Sequence, residues 1–211
     1  MHVSIYQADV PLITRRKKLA DLLTELPAAL HERARRYQFE RDALHFVLGR
    51  LLLQSGLQAL GRGEQLTDIQ YQPSGKPWLA HTFFSISHTD DRVLCALSPD
   101  AQVGIDLEKI KPVELAHFKP WFTASEWLAI CTAPAPLQTF YGYWTRKESI
   151  IKALGVNLNY LQQIHLDPAQ AYVVAEGQQW HLRQLELGPD FAGALCSGRE
   201  VTQLNWRCPF Q

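Results

Sequence analysis

Val103-Gly104-Ile105-Asp106-Leu107-Glu108 is a short apolar run that ends in two carboxylates one residue apart. Taken as a strand, it turns Ile105 and Leu107 to one face and Asp106 and Glu108 to the other, roughly 6.5 to 7 Å apart along the backbone. Two acids facing one spot repel unless something positive stands between them. Oxygen ligands at that spacing suit a hard divalent ion such as Mg²⁺ better than zinc. The plainer alternative is a solvated strand end that runs into the turn at 109–111.

Working back from this run, residues 82–87 alternate, with Phe84 and Ile86 on one face and Ser85 and Ser87 on the other, and stop at His88-Thr89-Asp90-Asp91. Residues 92–97 supply a returning strand and 101–108 a third. The spacing therefore predicts an antiparallel meander in which Ser87, His88, Asp106 and Glu108 reach the same end of neighbouring strands. Before it, 69–71 reads as a strand, and Pro73-Ser74-Gly75-Lys76-Pro77 as a turn whose Gly and Pro fix the backbone and leave Lys76 projecting. Further back, Leu44, Val47, Leu48, Leu51 and Leu52 carry a helical period from Glu40 to about Leu60. Gly61-Arg62-Gly63 closes that helix, and Arg41, His45 and Arg50 fall on its opposite face. A strand over 2–6, a helix ending near Pro27 and a short basic helix over 30–37 complete this part.

Past the opening run, Thr123-Ala124-Ser125-Glu126 fits a capping box, in which the Thr hydroxyl and the Glu carboxylate satisfy free N–H groups at a helix start. A second helix opens near Pro136 and stops at Gly155. On it Tyr143, Ile150, Ile151 and Leu154 form an apolar arc, and Glu148 and Lys152 lie together just beyond its edge as an i, i+4 pair. Lys147 falls inside the arc, where an ammonium group must snorkel out or meet a buried anion. Strands are expected over 161–166, 171–175, 180–187, 192–196 and 201–206.

The 211 residues are 46% hydrophobic and 20% charged, the balance of a globular chain with a real core and not of a disordered or fibrous one. No run approaches the ~20 apolar residues of a membrane span, and residues 2–12 lack the pattern of a signal peptide, so no membrane role and a cytoplasmic location are expected. Cys95, Cys131, Cys196 and Cys208 show no C-x-x-C spacing, which favours free thiols over disulfides or zinc ligands. Formal net charge is zero, yet residues 1–62 hold ten Lys and Arg against six Asp and Glu, so the remainder is acidic by the same margin. That separation suits a polyanionic ligand gripped by one part with a metal held by the other. The dense basic stripe that nucleic acid would need is missing.

Taken in order, Gly75-Lys76-Pro77, Ser85-Ile86-Ser87-His88, Gly104 to Glu108, Phe122 to Glu126, and Trp144 with Lys147-Glu148-Ser149 through Lys152 to Gly155 resemble the Sfp-type 4′-phosphopantetheinyl transferases. The resemblance spans about residues 26–155. It implies an α+β fold, a pseudo-twofold pair of similar subdomains that each pack helices on an antiparallel sheet, divided as 1–104 (coenzyme A nucleotide side) and 105–211 (metal and carrier-protein side). It also implies Mg²⁺, with Mn²⁺ as a substitute, and coenzyme A as co-substrate. The expected reaction moves the phosphopantetheine arm of coenzyme A onto a serine of an apo acyl or peptidyl carrier protein and releases adenosine 3′,5′-bisphosphate. A metal-dependent phosphoesterase or nuclease is the alternative.

Carried over by motif, Asp106, Glu108 and Glu148 would bind the metal. Lys152, His88 and Ser87 would contact phosphates, and Gly75, Lys76 and Pro77 would border the adenine and 3′-phosphate. Glu148 is the expected proton acceptor, with Glu126 as its rival. Where the family often has an arginine after the Asp42-Ala43 pair, this chain has His45. A neutral histidine holds phosphate less firmly, so one of Arg33, Arg36, Arg41 or Arg50 is expected to compensate, with Arg33 and His45 assigned to the nucleotide. By analogy, Phe118, Trp121 and the segment after Gly155 would meet the carrier, and the protein is expected to be a monomer.

Overall fold

The computed structural model describes residues 1–167 and 169–210. The first half runs β1 (His2–Asp9), α1 (Val10–Thr14), α2 (Leu19–Thr24), α3 (Ala28–Arg35), α4 (Glu40–Leu60), β2 (Gln70–Tyr71), β3 (Pro77–Trp78), β4 (Phe83–Thr89) and β5 (Arg92–Ser98). The second runs β6 (Val103–Lys109), α5 (Ala124–Thr132), α6 (Pro136–Leu154), β7 (Tyr172–Ala175), β8 (Gln178–Gln184), β9 (Phe191–Ser197) and β10 (Gln203–Arg207). The fold is the expected α+β pair, a long helix on a four-stranded sheet in each half. In the first, α4 lies on the sheet ordered β10-β1-β5-β4; in the second, α6 lies on β6-β9-β8-β7.

Both long helices form where the apolar period predicts. The α4 helix starts with Glu40 and Asp42 in its first turn, where carboxylates complement the free N–H groups, and buries Leu44, Val47, Leu48, Leu51 and Leu52. The α6 helix ends at Gly155, whose φ of +75° favours glycine. Each helix faces its own core, the first around Val47, Leu52 and Cys95, the second around Phe140, Ile150 and Trp180. A third cluster, with Ile5, Leu94, Ile105 and Leu195, runs behind both sheets and joins the halves.

The expected meander breaks between β5 and β6. Strand β5 pairs with β4 on one edge and β1 on the other, with Tyr6 opposite Cys95, so it has no edge left for β6. Strand β6 instead opens the second sheet by pairing antiparallel to β9, with Asp106 opposite Ala194. The last strand returns to the first half, where β10 runs parallel to β1. Residues 161–166 are not a strand: 158–163 forms a 3₁₀ turn, and the carbonyls of Leu161 and Ile164 bend inward to accept from Lys147 Nζ at 3.3 and 2.6 Å. All four cysteines are free, with Cys95 and Cys196 buried and Cys131 and Cys208 exposed.

Strands β4 and β6 are facing edges of different sheets, and side chains replace the backbone ladder between them. Ser85 Oγ, Ser87 Oγ and Thr89 Oγ1 accept from the N–H groups of Ile105, Leu107 and Lys109 at 3.1, 3.2 and 3.2 Å. The alternation of hydroxyl residues along β4 thus sets the register of β6 against it, 85 beside 105 and 87 beside 107. The site lies on this seam.

Candidate active site

Asp106 points from β6 toward α6, on the face that Gly104 and Glu108 share. A Cβ at Gly104 would stand 2.0 Å from the Ser149 carbonyl oxygen and 2.4 Å from the Ala153 nitrogen, so only glycine lets α6 lie flush on β6. That close approach brings Lys152 onto Asp106. Lys152 Nζ donates to Asp106 Oδ1 at 2.7 Å and to Ser87 Oγ at 2.9 Å, and Ser87 Oγ donates to the same carboxylate oxygen at 3.0 Å. Asp106 is buried, and among the described residues its Oδ2 has no hydrogen-bond partner.

Glu108 and Glu148 belong to the same electrostatic group. Burial first, then the charge of Asp106 and that of Glu148, pushes Glu108 up to about 7, against a partial offset from Lys152. Burial and then Asp106 raise Glu148, again opposed by Lys152. The structure thus brings the three predicted acids within one another's field. Among the described residues no three His, Cys, Asp or Glu side chains stand at metal-ligand spacing, and Asp106 is closed onto Lys152 instead.

Beside these acids a cleft of about 660 Å³ opens between the halves. One wall is α4, with His45, Phe46 and Arg50; the floor is β4, with Ser85 and His88; the far side is Gly75, Lys76 and Pro77, with Lys152 and Gly155 at the end of α6. His88 stacks on His45 with ring centroids 4.6 Å apart. Desolvation first, then His45 and Lys152, lowers the His88 pKa to about 4, so the imidazole is neutral at pH 7.

Several expectations change here. Lys76 does not project: its ammonium turns back to donate to the Ala153 carbonyl at the end of α6 and to Gln102 Oε1, and burial lowers its pKa to about 8. Arg33 is exposed, is not among the residues that line the cleft, and stacks over Tyr71 and Phe46 at 4.6 and 5.5 Å. His45 and Arg50, read as the outer face of α4, are 3% and 6% exposed because that face forms the cleft wall. Phe118 packs against Phe140 and Trp144 in the second core, and the Trp121 carbonyl accepts from Lys147 Nζ.

Glu126 is not brought to the acids. One oxygen accepts from Thr123 N at 2.8 Å, closing the predicted capping box, and lies 2.9 Å from Lys147 Nζ; the other accepts from Leu166 N at 2.7 Å. The rival base is therefore corrected to a structural role, as the buried anion that the misplaced Lys147 required. Both halves of that pair carried a sequence signal, a lysine in an apolar arc and a capping glutamate. Nothing in the spacing said that they meet.

A family profile described as the 4′-phosphopantetheinyl transferase superfamily matches residues 102–201, the stretch that holds Asp106, Glu108, Glu148 and Lys152. The chain is similar to the 4′-phosphopantetheinyl transferase HetI of Nostoc sp., 32% identical over 86% of this chain and 81% of that one. It is also similar to the 4′-phosphopantetheinyl transferase Sfp of Bacillus subtilis, 31% identical over 79% of each. A second Bacillus subtilis relative, the 4′-phosphopantetheinyl transferase ffp, is 28% identical over 88% of this chain and 90% of its own length. Identity above 30% across most of both chains, with the site acids inside the matched region, places this chain in the 4′-phosphopantetheinyl transferase family.

Proposed function

We propose that this enzyme transfers the 4′-phosphopantetheine arm of coenzyme A to a serine of an apo acyl or peptidyl carrier protein, with Mg²⁺ required and Mn²⁺ as a substitute, releasing adenosine 3′,5′-bisphosphate. The observation that carries this reading is the junction of a three-acid group with a cleft whose walls supply Arg50, Lys76 and Lys152. A polyanion fits the cationic cleft, and a reacting phosphorus fits its acidic end.

The acids suit a hard cation. Among the described residues Asp106 leaves one buried oxygen without a partner, and burial first, then the charge of Asp106, raises the Glu108 and Glu148 pKa values against a partial offset from Lys152 and, at Glu108, Lys111. Asp106, Glu108 and Glu148 would hold the ion, which when bound supplies charge neutralisation for the pyrophosphate. Lys152 carries the positive charge nearest that end and stabilises the leaving bisphosphate, while His88, neutral at pH 7, donates a hydrogen bond to a phosphate oxygen. Glu148 takes the proton of the incoming serine. A carboxylate whose pKa is raised toward the working pH is a better base than an ordinary one. Gly75 and Pro77 border the adenine.

On this reading residues 1–104 form the nucleotide side and 105–211 the metal and carrier side, and β10 crosses back to pair with β1. No helix among the described residues is long and apolar enough to cross a membrane. The test is to incubate the protein with coenzyme A, Mg²⁺ and several apo carrier proteins and to follow carrier mass. A gain of one phosphopantetheine arm, lost without coenzyme A, is expected. Unmodified carriers together with hydrolysis of simple phosphoesters would favour a phosphoesterase instead.

A further inference from the structure

Behind the Lys76-Pro77 wall of the cleft lies a second cavity, of about 190 Å³, which the proposed transfer does not use. It shares Lys76, Pro77 and Phe84 with the cleft. Thr82, in the loop between β3 and β4, and Gln102, just before β6, line the cavity and not the cleft. Thr82 is 1% exposed, and among the described residues its Oγ1 has no hydrogen-bond partner. A hydroxyl buried that deeply costs stability until a partner reaches it.

Lys76 is the second unmet group in the lining. Its ammonium donates to the Ala153 carbonyl and to Gln102 Oε1, but among the described residues it forms no ion pair. No carboxylate offsets the burial that lowers its pKa to about 8, so at pH 7 it remains a charged donor without a counter-charge. An ammonium has three N–H bonds, and two acceptors leave one over. The stem packs against Gly155, where a Cβ would stand 2.8 Å from Lys76 Cδ, and this contact holds the ammonium on the cavity side.

One positive charge and one hydroxyl in the same small cavity match a single carboxylate, whose oxygens accept from both. A phosphate dianion would bring a second charge that nothing in the lining answers. The rest of the wall is apolar, with Leu79 buried and Pro77, Trp78 and Phe83 around it, so the body of the ligand is aliphatic or aromatic. Its size is limited to a short chain or one ring, since a cavity of roughly 150 Å³ takes benzene. We propose that this cavity binds a small apolar monocarboxylic acid, whose carboxylate accepts from Lys76 and Thr82. The assignment stands on these residues and is independent of coenzyme A.

Calorimetric titration of wild type, Thr82→Val and Lys76→Met with sodium benzoate and sodium isovalerate at constant ionic strength tests it, with benzamide as the uncharged control. Wild type should bind at least one of the acids with a Kd of about 1 mM or tighter, and benzamide about tenfold or more weakly than that. Thr82→Val keeps the shape of the side chain and removes the unpartnered hydroxyl. It should melt at or above the wild-type temperature and weaken the acid about tenfold, and Lys76→Met should abolish binding. An acid that binds Thr82→Val as tightly as wild type sits in the cleft, which Thr82 does not line, and overturns the proposal. Undiminished binding to a folded Lys76→Met protein overturns it too, as does benzamide that binds as well as benzoate. No saturable heat from either acid with wild type means that the cavity holds water only, which also overturns it. If Lys76→Met does not fold, the Thr82→Val and benzamide arms decide alone.

Discussion

Lys147 and Lys152 sit on one helix five residues apart and do opposite work. Lys147 is fully buried, paired with Glu126 and donating to three backbone carbonyls, so its charge is spent on holding α5, α6 and the 158–163 turn together. Removing one member of such a pair strands the other, at a cost of about 3 to 5 kcal/mol, whereas replacing both with apolar or neutral groups is far milder. Lys147→Met and Glu126→Gln should each lower urea stability by that order, and the double variant should recover much of it. Losses that add instead would show that the two side chains act independently. Lys152 is partly open at the cleft and donates to Asp106 and Ser87, so Lys152→Ala should cut turnover on the carrier about 100-fold or more and, because it leaves the buried Asp106 carboxylate unpaired, should also lower the melting temperature. Lys76→Ala should cost less activity, because its ammonium is committed to the end of α6; the reverse order in steady-state kinetics would contradict this placement. The sequence made Lys147 legible as a misfit and Glu126 as a cap. Their partnership was hidden, since they lie 21 residues apart and meet only through packing.

Strand β6 and helix α6 show how much of the site depends on one missing side chain. Both were readable: the alternation of 103–108 and the period of 143–154 give their faces correctly, with Ile105 and Leu107 turned into the rear cluster and Asp106 turned toward the helix. What the pattern did not carry was the partner of each edge. A strand of alternating residues says which face is buried and nothing about which neighbour it pairs with, so the meander was extended one strand too far and the pairing of the C-terminal strand with β1 was not legible. Gly104 bears on this directly, because its Cβ position is filled by the backbone of Ser149 and Ala153. In Gly104→Ala the helix must move away, a strain of about 1 to 3 kcal/mol by analogy with overpacked cores. The shift should also carry Glu148 and Lys152 off Asp106 and lower turnover about 100-fold. Unaltered kcat in a folded Gly104→Ala protein would mean that the contact between β6 and α6 does not set the site.

Across the whole molecule, the two halves meet where a row of hydroxyls from β4 caps the amides of β6, and this join brings acids of the second half under the cleft of the first. Crowding carboxylates there has a signature in stability. The Glu108 pKa is raised from 4.5 to about 7, so between those values the folded protein binds more protons than the unfolded chain. Its stabilising contribution is complete below about 4.5 and is lost as pH climbs through 7. His88 works against it: with its pKa lowered from 6.5 to about 4, it favours the folded state as pH rises through that window, and the total slope is partly cancelled. The difference between wild type and Glu108→Gln isolates the carboxylate. Because glutamine imitates the protonated acid, the variant should gain melting temperature relative to wild type from pH 4.5 to about 7 and then hold a constant lead. Mg²⁺ should narrow or reverse that lead at pH 8, where the wild-type acids are charged, and do little at pH 5. Parallel melting curves for the two proteins at every pH, with and without Mg²⁺, would show that the acids of the seam do not share one field.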